Sequence, residues 1–371
     1  MASIGGPLAL AAIYVPGAAD VGSAGLLVVL GALLFACPLA VWLRYSEDIA
    51  SAGGLAAFVE ASAGRRLALV QAAVWAFSYF LYLPYTVTDI VYEQLADVFP
   101  GIEPWRWLVE VTLPIGIVGL VLLGTIPALR ILLVSAVLQL VALLAFGTVL
   151  LVHVGAPARS FTRAPATRGL VHGSAGIALL FLCASLPLYL GGEAAGGRRT
   201  IRFSLVSASA VVALYLLVAV FPLAAADPAL RHTDFTGLDL ATFYAGRGFG
   251  VAIGLGATIA VAGVIVAEYI ALSRLLYSVT GIAVRTLVKW IAVPFVAIDL
   301  LSLLGPDEFD ENVLRPSLVA LYLSQLIVFA VYPAYRARRG RLTPVDVAIA
   351  GVAFALMGWG LWRAVTGPVA T

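Results

Sequence analysis

The sequence is poor in charge. Acidic and basic residues fill only 11% of its 371 positions, against about 25% in a typical water-soluble chain. Lysine is nearly absent: Lys289 is the single one, and arginine supplies the rest of the positive charge. The net charge is +2 and no basic tract is present, so no nucleic-acid partner is expected. Cysteine occurs twice, as Cys37 and Cys183, both inside apolar runs. That leaves neither a disulfide framework nor a cysteine metal cluster. The three histidines, His153, His172 and His232, fall at run ends or in loops, with no His-Glu-x-x-His pair and no serine-triad setting. No enzyme and no resident cofactor are expected. No basic leader precedes the first apolar run, which argues against a cleaved signal peptide.

What fills the chain instead is apolar. Hydrophobic residues make up 62% and the mean hydropathy is +1.05. A single soluble core stops growing at roughly 250–300 residues and cannot hide that excess. The apolar runs are continuous and about twenty residues long, the length of a bilayer-spanning helix and about twice that of a barrel strand. An all-α integral membrane protein follows, with the lipid bilayer as its surroundings.

Turn residues and charges divide the runs into eleven spans, at about 3–19, 22–43, 67–96, 107–127, 129–153, 174–192, 203–225, 248–280, 283–304, 313–335 and 343–365. Assigned to alternate loops, fourteen basic residues between Arg44 and Arg341 fall on one side and eight between Arg106 and Arg363 on the other. The positive-inside rule puts the richer side in the cytoplasm. The expected protein is therefore multi-pass in the cell membrane, with a cytoplasmic N-terminus and, after eleven spans, an outer C-terminus. The acidic run Asp307, Glu308, Asp310 and Glu311 falls in an outer loop. No linker separates two domains, so 1–371 reads as one transmembrane unit.

Two spans are interrupted. The first carries Gly5, Gly6 and Pro7, then Pro16 and Gly17; the sixth carries Pro187, then Gly191 and Gly192. They stand five spans apart, so each opens a five-helix block of opposite membrane orientation. This is the pattern of an inverted repeat with broken helices at equivalent places. A break in mid-bilayer frees backbone N–H and C=O groups, which is tolerated only where they face a cavity or a ligand. The repeats would cover about 1–153 and 174–335, with an extra helix at 343–365.

Four stretches carry a family likeness. They are Ser51-Ala52-Gly53-Gly54-Leu55 before span three, Leu190-Gly191-Gly192-Glu193 followed by Arg199-Thr200-Ile201 after span six, Ser273-Arg274-Leu275-Leu276-Tyr277 closing span eight, and Ala12-Ile13-Tyr14-Val15-Pro16-Gly17 in span one. With these the chain resembles the amino acid–polyamine–organocation permeases. The resemblance implies a LeuT-like five-plus-five inverted repeat with broken helices 1 and 6, and secondary active transport of a small organic solute. The implied substrate site is Leu10, Ala11, Ala12 and Ile13 in span one with Phe181, Cys183, Ala184 and Ser185 in span six. Where the family has a Gly-Ser-Gly break to hold a carboxylate, this chain has Leu10-Ala11-Ala12. An amine or polyamine therefore ranks close behind an amino acid. The family usually has twelve spans, and Ala142 stands near the place of a helix-five lysine found in some proton-coupled members.

An ionisable group in hydrocarbon costs at least about 2.5–3.5 kcal/mol and is a functional candidate. Glu268 is the foremost. It lies six residues before Arg274, or about 9 Å inside that end of the span at the helical rise. It is read as a proton carrier or cation ligand, with a structural pairing to Arg274 or Lys289, or a place in a wet vestibule, as the alternatives. A proton is the expected coupling ion, with sodium second. Glu193, after the span-six break and facing Arg198 and Arg199, is read as a gate latch. Tyr82 in span three is a second gate candidate. Asp89 is expected in an outer vestibule, and Asp299 and Asp346 at the interfaces. No polar stripe suggests a channel. A nutrient sensor on the same fold, acting through a partner subunit, is the rival to transport.

Overall fold

The computed structural model describes residues 23–155, 158–163, 165–220 and 236–366. The expected first span, with Leu10, Ala11, Ala12 and Ile13, lies outside the described residues. Among those described, every regular element is helical, and nine helices are long and apolar enough to cross a membrane.

The helices are α1 (Ala24–Tyr45), α2 (Leu55–Ala63), α3 (Arg65–Thr88), α4 (Arg106–Leu122), α5 (Thr125–Val154), α6 (Thr167–Leu180), α7 (Gly197–Val220), α8 (Thr236–Ala245), α9 (Arg247–Thr280), α10 (Val284–Asp299), α11 (Pro306–Arg338) and α12 (Pro344–Thr366). α3 continues through a π-helical turn at Asp89–Gln94 to Val98, and α10 through a 3-10 turn to Leu304. α7 occupies the place of the expected seventh span.

The order of lengths repeats. A nine-residue helix (α2), a 34-residue path (Arg65–Val98), a 20-residue one (Glu103–Leu122) and a 30-residue one (α5) follow each other. Then a ten-residue helix (α8), a 34-residue one (α9), a 21-residue path (Val284–Leu304) and a 33-residue one (α11) do the same. Two short helices in this series were not legible in the apolar runs, because at nine and ten residues they are too short to span.

Glycines punctuate the path. Gly64 (φ +90°) turns the chain between α2 and α3, and Gly281 (φ +71°) ends α9 in the left-handed region that a β-carbon disfavours. Inside the bilayer, lipid tails are as apolar as leucine, so helices associate through close packing. A β-carbon on Gly31 would stand 2.7 Å from Ile177, and one on Gly173 would stand 2.8 Å from Leu27. These two glycines let α1 and α6 pack tightly side by side. Leu33, Ile115, Leu123 and Val152 remain exposed, as lipid-facing residues are.

The acidic run from Asp307 does not form a loop. It opens α11 directly behind Pro306. Proline at the first helical position and acids in the first turn both suit the positive end of a helix dipole.

One end of the bundle gathers the charge. There Arg44, Arg336 and Arg339 meet Glu47, Asp48 and Asp346, and Arg202 lies 3.7 Å from Glu47. This basic end also holds the start of α3 and the end of α9.

Candidate functional site

Three of the four motif stretches meet at the basic end. A β-carbon on Gly191 would stand 2.5 Å from the backbone nitrogen of Ser51, and one on Gly54 would stand 2.4 Å from the Tyr189 ring. One on Gly53 would stand 3.1 Å from Ser278 Oγ, a milder contact. The small residues are there because two backbones touch. Gly191→Val is expected to lower stability by about 1–3 kcal/mol through overpacking against a backbone that has no room to give. Gly192→Ala, whose added carbon meets nothing nearer than 3.5 Å, serves as the near-neutral control in the same thermal-unfolding assay.

Glu193 follows directly, and its partner is not Arg198 or Arg199. Arg274 Nε donates to Glu193 Oε1 at 2.9 Å, and its Nη2 lies 3.5 Å from Oε2. Thr125 Oγ1 donates to Oε2 at 3.2 Å and accepts from Arg274 Nη2. Arg198 instead reaches the Glu47 carbonyl at 3.1 Å. The side chain of Arg274 is only 5% exposed, that of Glu193 40%. One arginine thus clasps the start of α5, the turn after span six and the end of α9.

The break in span six takes the form of a switch in helix type. α6 ends at Leu180, and Phe181–Leu190 continues as a 3-10 helix with Pro187 inside it. The 3-10 winding changes the backbone pairing to i→i+3 and marks strain or function in mid-helix. Phe181, Cys183, Ala184 and Ser185 all lie on this stretch. Phe181 stacks on Phe35 of α1 with ring centroids 5.1 Å apart. Ser185 is fully buried and its Oγ has no hydrogen-bond partner.

The 3-10 stretch packs on α9, which carries Glu268. Glu268 is 1% exposed and its Oε2 has no hydrogen-bond partner. Neither alternative partner holds it: Arg274 is spent on Glu193, and Lys289 lies exposed at the surface. Other buried polar groups stand unpaired on α3, which packs on α9, and on α11, which packs on α3. On α3 they are both amide atoms of Gln71 and the Trp75 indole nitrogen; on α11 they are both amide atoms of Gln325.

Their levels agree. Ser317 Oγ of α11 donates to the Ser78 carbonyl of α3 at 2.9 Å. From that contact Gln71 is seven residues and Gln325 eight residues toward the basic end, or about 10–12 Å along each helix. Trp75 in turn lies against Tyr189 at 4.3 Å. Buried polar groups are normally bonded, and these have no partner among the described residues. Among the described residues, the one buried base is Arg274.

Tyr82 stands elsewhere. It is seventeen residues beyond Arg65 on α3, about 25 Å along the helix from it, half-buried and 5.5 Å from the Tyr85 ring. Ala142 faces Gly256 of α9, whose added carbon would stand 3.4 Å away. Sequence reasoning missed Thr125 as part of the clasp, and no signal in the chain pointed to it. It also missed Arg274 as the latch partner, although Arg274 sits within a quoted motif.

No protein-family profile and no curated protein sequence matches the chain. Solved structures do. A mutant form of a manganese transporter from Eremococcus coleocola is similar over 100% of this chain and 89% of its own, at 13% identity and a TM-score of 0.58. MhsT in complex with L-phenylalanine is similar over 98% of this chain and 96% of its own, at 15% identity and a TM-score of 0.63. The chain has the LeuT-like fold that these transporters share.

Proposed function

We propose that this protein is a secondary active transporter of a small organic solute, an amino acid, amine or polyamine, working by alternating access. The observation that carries the proposal is Glu268: a fully buried carboxylate without an ion-pair partner among the described residues, on a helix that packs against α3 and the 3-10 stretch, where buried amide, indole and hydroxyl groups are also unpaired. Transporters of this fold bind substrate near mid-bilayer between the two repeats. Solved structures of like fold include a manganese transporter and a protein holding L-phenylalanine. With Glu268 as the acid on this part of α9 and Arg274 already spent on Glu193, the region suits a solute rich in N–H donors. Glu268 carries the coupling proton, because a buried carboxylate within a membrane takes up and releases one where sodium would need several further oxygen ligands. The basic end faces the cytoplasm, following the arginine bias of the loops, in the cell membrane.

The test is uptake into proteoliposomes of labelled amino acids, polyamines and manganese, under a proton gradient and a sodium gradient applied separately. Proton-driven accumulation of an organic solute is expected, and Glu268→Gln is expected to reduce it at least tenfold. Sodium-driven uptake, or proton-driven uptake that Glu268→Gln leaves unchanged, overturns the coupling. Uptake of manganese alone overturns the substrate class. Saturable binding of an organic solute without flux makes the protein a sensor on this fold.

A further inference from the structure

A pair of buried acids lies at the other end of the bundle. Glu110, one turn into α4 from Arg106, and Asp299, the last residue of α10, are both fully buried. Glu110 Oε1 accepts from Ser302 Oγ at 2.5 Å and from Thr88 Oγ1 at 3.0 Å. Ser302 is three residues beyond Asp299, and α4 packs along α10, so its bond to Glu110 brings the end of α10 against that acid. Three carboxylate oxygens, Glu110 Oε2 and both of Asp299, are buried and have no hydrogen-bond partner. The neighbouring stretch of α3 is the π-helical turn Asp89–Gln94, a distortion that often accompanies a functional site.

The charged neighbours can be counted. Arg106 lies over the Tyr92 ring at 5.1 Å. Asp89 accepts from Gln94 at 2.6 Å. Glu93 and Asp97 share that segment. Arg247 of α9 donates to the Val98 carbonyl at 2.8 Å. Arg315 stands on α11, and Lys289 lies at the far end of α10. No ion pair to Glu110 or Asp299 is formed among the described residues. With both acids ionised, the pair and Arg106 together are short of one positive charge. A hard metal cation takes about six to eight oxygens, whereas three are free here. A proton needs two.

We propose that Glu110 and Asp299 form a proton-binding site, sharing one exchangeable proton between α4 and α10, separate from Glu268. The two acids titrate as a unit, and the Thr88 and Ser302 hydroxyls orient Glu110 toward Asp299. Since α4 and α10 occupy equivalent places in the two repeats, the proton's presence joins one repeat to the other at the end opposite the clasp.

The experiment is a pH titration of the full chain in nanodiscs, followed by the infrared band of protonated carboxyl groups. The wild type is expected to show a band at neutral pH that disappears on alkalinisation. That band is expected to be retained in E268Q and to be absent when either E110Q or D299N is added to it. The doubly substituted T88V/S302A, which keeps both acids, is expected to retain the band at a shifted frequency and midpoint. Elution as a monodisperse peak establishes that each variant is folded. A band that survives E110Q and D299N in the E268Q background overturns the proposal, and so does one lost in only one of them, since the acids then act alone. Thermal stabilisation by sodium, calcium or manganese that D299N abolishes also overturns it, making the pair a cation site. Because the band is read without any substrate, its outcome is independent of the uptake result.

Discussion

Asp346→Ala is expected to destabilise the protein by about 3–5 kcal/mol, the usual cost of removing one partner from a buried ion pair. The carboxylate has no exposure and is saturated. Arg44 Nη1 and Tyr332 Oη (2.6 Å) donate to Oδ1. The Thr343 backbone N–H (2.9 Å) and Oγ1 (2.7 Å) donate to Oδ2, and Arg336 Nε lies 3.3 Å away. The Asp346 N–H returns a bond to Thr343 Oγ1 at 3.2 Å. Thr343-Pro344-Val345-Asp346 is thus a reciprocal cap with proline at the first helical position. The same side chain starts α12 and ties it to α1 and α11. Asp346→Asn keeps a capping oxygen and loses the charge, so it is expected to cost about 1 kcal/mol less. Thermal unfolding in detergent of both variants, with Arg44→Ala and the double substitution, gives the coupling energy. A drop for Asp346→Ala no larger than that of a surface substitution, within about 0.5 kcal/mol, would sink the assignment.

That anchor shows where sequence reading reaches and where it stops. The bilayer forces every spanning backbone to satisfy itself, so apolar length alone delimits most helices here. The interruption in span six was visible in Pro187 and the Gly191-Gly192 pair, though not that it would be a continuous 3-10 helix. Depth along a span was equally readable, but depth says nothing about the direction a side chain faces. Asp299 and Asp346 stand near span ends, as interfacial residues do, and both are fully buried. Asp346 is buried by Arg44, 302 positions earlier in the chain. Glu110 passed unread for the same reason: a lone acid four residues after an arginine looks like a surface pair until Ser302, 192 positions on, closes over it. Glu193 was read as a latch from its place after the break. Its neighbours in sequence suggested the wrong arginines, because Arg198 is taken by the Glu47 carbonyl.

Glu193→Gln is expected to open the basic end. Arg274 is almost wholly buried while Glu193 is partly solvated, so the two halves of the clasp are not equivalent. Neutralising Glu193 leaves a guanidinium buried against Thr125 and Ser273 without its counter-charge. Removing Arg274 leaves an acid that water can reach. Both loosen the junction of α5, span six and α9, and Glu193→Gln is expected to do more. A tenfold shift in the closed-to-open ratio corresponds to about 1.4 kcal/mol, within reach of one charge-assisted contact. The readout is thiol labelling of Ser185→Cys, a buried position on the 3-10 stretch, with Cys37 and Cys183 replaced by alanine. Labelling from the basic end is expected to rise about tenfold in Glu193→Gln and several-fold in Arg274→Ala. The swapped pair Glu193→Arg with Arg274→Glu is expected to recover part of the protection. High salt is expected to change wild-type labelling little, since screening acts weakly on a buried charge. If labelling is the same in all these variants, packing of Gly54 and Gly191 against their neighbours, rather than the Arg274 clasp, keeps this end shut.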